Sequence, residues 1–419
     1  MIGIIKKTAH FFLDHPLNYI KDLNASRKIS AHMTDIKKSN KNEKIKVGFI
    51  VQMPEVWDQQ CQTYEKMSAD ERFDVWIVRM PQYDIGDGKY KNYKEVKAFF
   101  SKKYPNASFF DGIEKDGRIK ELKKEKFDYL FYERPYDGYL PKTMRSSYMA
   151  RYTKVCYIPY TTPDFDCGKG PYTADKVFYR NVYFGFHNSD SCVDALYASM
   201  SKKFRKHHHY LNLGYPVLNE STKVKPVPHE GCKVMWTPRW SYDPGIGGSH
   251  FLEYKDLIIN LNKEFEGLNI LVRPHPFTYT YMISKGYMTE EEVEEFKKKA
   301  VENGVEFDKN KSVRDSFVDT DILISDLSSI VWQFFYQGKP VIYCPCDIHL
   351  SGELSELVSA TYIAESEEDI KKYVKEISAG NDYKKPDRQK IIDKYIKRFN
   401  DPVGEFIKYI VKDYEESFK

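Results

Sequence analysis

The chain has 419 residues, 41% of them hydrophobic, which is enough for two ordinary domains with separate cores. Its 65 Lys and Arg against 61 Asp and Glu leave a formal net charge of +4, which excludes a broadly basic nucleic-acid surface. Seven cysteines, an odd number without CxxC pairs at zinc spacing, point to reduced thiols and to no structural metal; Cys344 and Cys346 are too close in sequence for a standard zinc half-site.

Residues 1–44 read as a helical segment. The stretch MIGIIKKTAHFFLDHPLNYIKDL mixes Ile2, Ile4, Ile5, Phe11, Phe12 and Leu13 with Lys6 and Lys7, a pattern that suits a membrane-surface helix and a helix packed on its own protein equally well. No run is long and apolar enough to span a bilayer, and no signal-peptide core with a small-residue cleavage site is present. The expected location is the cytoplasm, with peripheral contact at the inner membrane face as the membrane alternative for the first helix.

Beyond a polar Lys/Asn-rich stretch, KVGFIVQM begins a strand, QQCQTYEKMSAD a helix and FDVWIVRM a second strand. The alternation continues through a helix near 92–104, strand ASFF, a helix near 118–126, strands FDYLFYERP and KVCYIPY, helix DSCVDALYASMSKKF and closing strand HHYLNLGYP. Such a series predicts a parallel sheet covered by helices on both faces, over residues 45–217. Polar, proline-punctuated VLNESTKVKPVPHEG marks the boundary.

Residues 218–384 repeat the architecture without repeating the sequence. Strand CKVMWTPRW, helix FLEYKDLIINLNKEF, strand NILVRPHP, helix EEEVEEFKKKAVENG and strand VEFD lead to strand TDILISD and an apolar helix. Strands PVIYC and ATYIAES and a helix near 367–378 follow, then helices near 387–398 and 403–417 in a terminal segment, 385–419. The expected fold class is α/β, with two Rossmann-like doubly wound domains facing a central cleft.

Three strand-to-loop corners of the second domain suit phosphate. In MWTPRWSYDPGIGGSHF, Gly247 and Gly248 let backbone N–H groups approach an anion, although the spacing is not the dinucleotide fingerprint and a plain surface turn is the competing reading. In NILVRPHPF, Arg273 and His275 fall on one side of a strand end stiffened by two prolines, a guanidinium and an imidazole suited to phosphate oxygens or to a departing phosphate. In SDLSSIVWQFF, Ser325, Asp326, Ser328 and Ser329 stand where a strand's carboxyl end meets a helix's amino end; capping alone would explain them, and donors for a diphosphate would also. Gln333, about one turn along, can reach a ribose hydroxyl.

LNLGYP, WTPRW, LVRPHP and DILISDLSSIVWQFFYQGKPVIYC occur in the order of the CDP-glycerol glycerophosphotransferase family of teichoic-acid and capsule synthesis, which the chain resembles over roughly residues 210–345. The resemblance implies a GT-B fold. It also implies transfer of glycerol phosphate, or a related polyol phosphate, from a CDP-activated donor to a glycan or lipid-linked acceptor, with release of CMP and no tightly bound cofactor. Carried over, Arg273 and His275 would contact the donor phosphates, and Ser325, Asp326, Ser328 and Ser329 would form the pyrophosphate and glycerol cradle; the corners themselves add Gly247 and Gly248 as expected phosphate contacts and Gln333, Arg239 and His250 as expected contacts of the ribose or polyol. His275 would stabilise or protonate the leaving CMP.

Two departures stand out. Many family members carry His-Gly-Thr-Pro in the amino-terminal domain, with its His the proposed base; here YIPYTTPDFDCG has none, leaving Asp164, or else Asp166 or Glu133, for that role. Gln333 replaces a usual acidic residue. A nucleotide-sugar glycosyltransferase on the same fold and a nucleotide-binding scaffold without turnover are the alternatives. KHHHY at 206–210 cannot converge on one metal ion, since neighbouring strand residues point to opposite faces, and reads as a basic domain edge. Of the 33 tyrosines, Tyr132, Tyr136, Tyr139, Tyr157 and Tyr160 suit either a sugar-stacking groove or, for most of them, the core.

Overall fold

The computed structural model describes all residues except 1, 85–88, 161–164, 167–175, 188–189, 244–247, 311, 348, 351 and 397–398; for 2–18 and a few residues bordering those segments only the backbone is described. The chain forms two compact units, Met1–Pro163 with Pro171–Pro216 and Asp401–Lys419, and Asp164–Gly170 with Val217–Asn400.

In the first unit the strands are β1 (Ile45–Val51), β2 (Phe73–Arg79), a hairpin of β3 (Gln82–Asp84) and β4 (Lys89–Lys91), β5 (Ser108–Asp111), β6 (Tyr129–Tyr132) and β7 (Lys154–Tyr157). After the two-residue β8 (Phe165–Asp166), which belongs to the second unit, come β9 (Val182–His187) and β10 (His209–Asn212). Seven of them form one sheet in the order β10-β9-β7-β6-β1-β2-β5, parallel throughout. β1 is buried at every position but one, as expected where helices cover both faces.

β9 is absent from the expected strands. VYFGFH is buried at every position, so it carries no alternation to read, and Gly185 interrupts it. That glycine is required by close approach: a Cβ there would lie 2.4 Å from the Tyr210 ring on β10. The segment expected as a helix near 118–126 holds only a 3-10 turn, Leu122–Glu125, ended by Lys126 in the left-handed region at φ 52°. The histidine tract is a further correction. His208 is buried, its Nδ1 lies 2.6 Å from the Val182 carbonyl oxygen, and burial lowers its pKa to about 4. It is a neutral core residue of the sheet and not part of a basic edge.

A helix over Ile2–Lys37 begins the chain and the helix Pro402–Ser417 ends it, both in the first unit. The first is tied down by Asp22, which is buried and accepts from Arg180 Nε at 2.6 Å and from Ser201 N and Oγ at 3.0 Å. The last is held by Asp413, which accepts from the hydroxyls of Tyr129 (2.5 Å) and Tyr183 (2.7 Å) and pairs with buried Lys154. A buried ammonium needs such a partner, and this pairing explains why the terminal helix returns to the first unit. Tyr132 and Tyr157 lie wholly in the core. Among the described residues no helix is long and apolar enough to cross a membrane.

The second unit contains β11 (Cys232–Thr237), β12 (Leu268–Val272), β13 (Glu306–Phe307), β14 (Ile322–Ser325), β15 (Val341–Tyr343), β16 (His349–Leu350) and β17 (Tyr362–Ile363). The main sheet runs β13-β12-β11-β14-β15-β17, again parallel, while β16 pairs antiparallel with β8. Helix Phe251–Ile258 turns Phe251, Tyr254, Leu257 and Ile258 onto the sheet, with Phe251 stacked on Trp236 at 5.4 Å between ring centroids. Each such side chain contributes about 1.5–3 kcal/mol through burial. Helix Glu290–Glu302 opens with a reciprocal capping box between Thr289 and Glu292.

Candidate functional site

In chain order the strands of the second sheet run 3-2-1-4-5-6, the doubly wound order in which crossovers leave the first strand toward one face and the fourth toward the other. The loops after those two strands therefore diverge, leaving a crevice at their carboxyl ends. β11 and β14 are the pair that brackets it. The loop after β11 supplies Arg239, Gly248 and His250, and the loop after β14 supplies Asp326 and Ser328.

Asp326 organises this point. Only 2% exposed, it accepts through Oδ2 from the backbone N–H groups of Arg239 (2.8 Å) and His250 (3.2 Å). Its Oδ1 lies 2.7 Å from His250 Nδ1. Its hydrogen bond first, and that of Cys346 second, lift the His250 pKa to about 10, so the imidazole is a cation beside a carboxylate. Arg239 Nη1 donates to the Leu327 carbonyl at 2.8 Å, a second tie between the loops. Ser249 Oγ donates to the Arg239 carbonyl at 2.6 Å and accepts from Phe251 N at 3.2 Å, closing the loop onto its helix. Gly248 has φ +74° with open space where a Cβ would stand; Gly247 lies outside the described residues.

Ser325 and Asp326, expected to contact phosphate, are engaged within the protein. Buried Ser325 accepts from Thr237 Oγ1 at 2.7 Å and donates to the Thr237 carbonyl at 3.0 Å, latching β14 to β11. Ser328 differs: it begins helix Ser329–Phe335 from an extended backbone, and its side chain makes no capping bond. Ser329 is the first helical residue, and half-buried Gln333 has a buried Oε1 with no protein partner.

Arg273 and His275 follow β12, yet the structure sends them different ways. The Arg273 guanidinium pairs with Asp308, whose side chain is 2% exposed, and donates to the Asn310 carbonyl at 2.9 Å. The His275 ring packs near Trp240, 5.9 Å between centroids, and its Nδ1 accepts from Phe277 N at 3.2 Å. The imidazole is open to water on its outer side; crowding by protein on the inner side, then the charge of Arg239, lowers its pKa to about 4, a shift that the exposed edge tempers. At rest it is neutral. Trp240 also contacts Phe277, 51% exposed, and Tyr281, making an aromatic shelf beside His275. The sequence signal for it was Trp240 within WTPRW; Asp308 and Cys346 gave none, because their partners come from distant loops.

Asp164 lies outside the described residues and only the backbone of Asp166 is described. Glu133 follows β6 and is 2% exposed; its two oxygens accept from Gln52 N (3.1 Å) and Met53 N (3.0 Å) after β1. Burial, only partly offset by Arg134, raises its pKa to about 7. With both oxygens on backbone amides, Glu133 is a loop clamp.

The wall teichoic acid polymerase TagF superposes over 100% of both chains with a TM-score of 0.53 at 15% identity. A TagF variant soaked with CDPG gives 0.51 at 15% identity, over 100% of this chain and 99% of that one. A putative UDP-N-acetylglucosamine 2-epimerase from Listeria monocytogenes gives 0.55 at 11% identity, over 89% and 97%. These likenesses establish a fold of GT-B type. No curated protein sequence matches the chain. A model of the family described as CDP-glycerol:poly(glycerophosphate) glycerophosphotransferase matches residues 200–405, a span that takes in the loops after β11, β12, β14 and β15.

Proposed function

We propose that the protein transfers glycerol phosphate, or a related polyol phosphate, from a CDP-activated donor to a hydroxyl of a glycan or lipid-linked acceptor, in synthesis of a teichoic-acid-like polymer. The observation that carries this reading is the coincidence of the family's motifs, within residues 200–405, with the switch-point loops of the second sheet. TagF, which has the same fold, is a wall teichoic acid polymerase and was soaked with CDPG.

In the proposed reaction the acceptor oxygen attacks the polyol-bearing phosphorus of the donor. The bond from that phosphorus to the bridging oxygen breaks, CMP leaves with the electron pair, and the acceptor proton passes to a carboxylate. Asp164 is our proposed base, on its position in the sequence. Phosphoryl transfer asks mainly for positioning and charge stabilisation. Ser328, whose hydroxyl is not spent on a cap, and the amide groups of the 328–329 turn serve as donors to the diphosphate. His275 is neutral at rest, and the arriving diphosphate favours its protonated form, from which a proton can pass to the CMP phosphate. Gln333, with its unpartnered Oε1, takes a hydroxyl of the ribose or polyol.

The test is calorimetry of CDP-glycerol, CDP-ribitol and UDP-N-acetylglucosamine against the protein, followed by assay of CMP release with candidate acceptors. Binding of a CDP-polyol and acceptor-dependent CMP release support the reading. Binding of the UDP-sugar alone would replace it with a nucleotide-sugar glycosyltransferase.

A further inference from the structure

We propose that His250, Asp326 and Cys346 form a binding site for a soft divalent transition-metal cation of the zinc class. The three residues come from the loops after β11, β14 and β15, and one ligand atom from each lies within 4.8 Å of the others. The site rests on the fold of the second unit alone and stands whether or not the transferase reading does.

The donor set decides the metal. A thiolate, an imidazole and a carboxylate together suit zinc, cobalt or cadmium and disfavour magnesium and calcium, which take oxygen ligands. Three protein ligands leave a tetrahedral ion one open position, for water or a substrate oxygen. Burial supports a built site and not a chance surface group: Asp326 is 2% exposed and Cys346 half-buried, with the Cys346 thiol 3.4 Å from the Gly248 carbonyl. The carboxylate is already oriented by the Arg239 and His250 amides, the outer hydrogen bonding that metal-bound carboxylates need.

In the metal-free protein a proton occupies the short His250–Asp326 contact of 2.7 Å. Metal entry displaces it and the thiol proton, and the two ligand atoms part to roughly 3.4 Å, the spacing set by bonds of about 2.0–2.1 Å around a tetrahedral ion. His250 stands on a loop edge with 26% of its side chain exposed, which permits that movement. The bound ion would staple three strand-end loops together at the switch point.

The experiment titrates Co2+ and Zn2+ alone into the full chain. The expected result is one equivalent of Co2+ bound with a thiolate-to-cobalt charge-transfer band. Cys346→Ser abolishes the band and weakens Zn2+ binding by at least about tenfold, the least that loss of even an outer partner costs. Cys232→Ser, which removes a half-buried thiol elsewhere, leaves both unchanged. Circular dichroism and the metal-free melting temperature verify that Cys346→Ser is folded. Absence of the band in the wild type, or its persistence in folded Cys346→Ser, would overturn the proposal.

Discussion

Glu133→Gln separates a loop clamp from a catalytic base, and its magnitude follows from the structure. The folded pKa of about 7 stands against an ordinary 4.5. At about 1.36 kcal/mol per pKa unit, ionised Glu133 costs the folded state roughly 3 kcal/mol at pH 8. Between pH 4.5 and 7 the folded state binds more protons than the unfolded one, so stability from this group falls as pH rises through that window and is fully restored below 4.5. Gln cannot ionise, but it has one acceptor oxygen for two backbone donors, Gln52 N and Met53 N, and loses about 1–3 kcal/mol at all pH values. Urea unfolding of both proteins at steps from pH 4.5 to 8 cancels every other titrating group. The wild type should lead by about 1–3 kcal/mol at pH 4.5 and lose most or all of that lead by pH 8. CMP release should survive within about tenfold, because a base contributes about 10²–10⁴-fold. A flat difference across the window refutes the argument, and a loss above about a hundredfold in a stable variant would make Glu133 the base.

Three further outcomes are expected. His275→Ala keeps the fold, since the ring is open to water, while CMP release drops by about 10²–10⁴-fold; in the wild type, NMR of the His275 ring should show its pKa rising from about 4 when CDP-glycerol binds. Ser325→Ala and Ser328→Ala should behave oppositely: breaking the Thr237 latch costs about 1–3 kcal/mol in unfolding and leaves donor affinity intact, whereas Ser328→Ala lowers donor affinity in calorimetry and shifts stability by under about 0.5 kcal/mol. Asp413→Ala strips Lys154 of its carboxylate and two tyrosines of their acceptor, a loss of about 3–5 kcal/mol that limited proteolysis should reveal as early cleavage of the last helix.

The sheets were legible because a parallel strand covered on both faces is a short apolar run between polar turns, as β1, β12 and β14 are. β9 escaped because an all-buried strand with a central glycine has no alternation, and the turn at 122–125 was overread because its lysines and glutamates favour helices anywhere. The corners after β11, β12 and β14 were legible as places. The duties of their side chains were not: Ser325 and Asp326 look alike as short polar caps, and only the neighbouring strand shows that one latches Thr237 and the other holds a loop and an imidazole. Arg273 and His275 alternate on one strand end, yet Asp308, distant in sequence, draws the guanidinium away.

Both sheets solve one problem in the same way. At a switch point the loop after the first strand has no packed neighbour to accept its amides, and a carboxylate just after the fourth strand takes them: Glu133 for Gln52 and Met53, Asp326 for Arg239 and His250. The two clamps differ in charge. Asp326 is paired with the raised-pKa imidazole of His250, whereas Glu133 has Arg134 at 3.7 Å and too little compensation to hold its pKa down. A clamp neutralised by its own cation leaves the surrounding amides and hydroxyls free to meet an anion without carboxylate repulsion. That electrostatic difference, more than any single polar residue, is what would favour the diphosphate we propose at the second switch point, and replacing His250 should weaken donor binding even if the ring never touches the ligand.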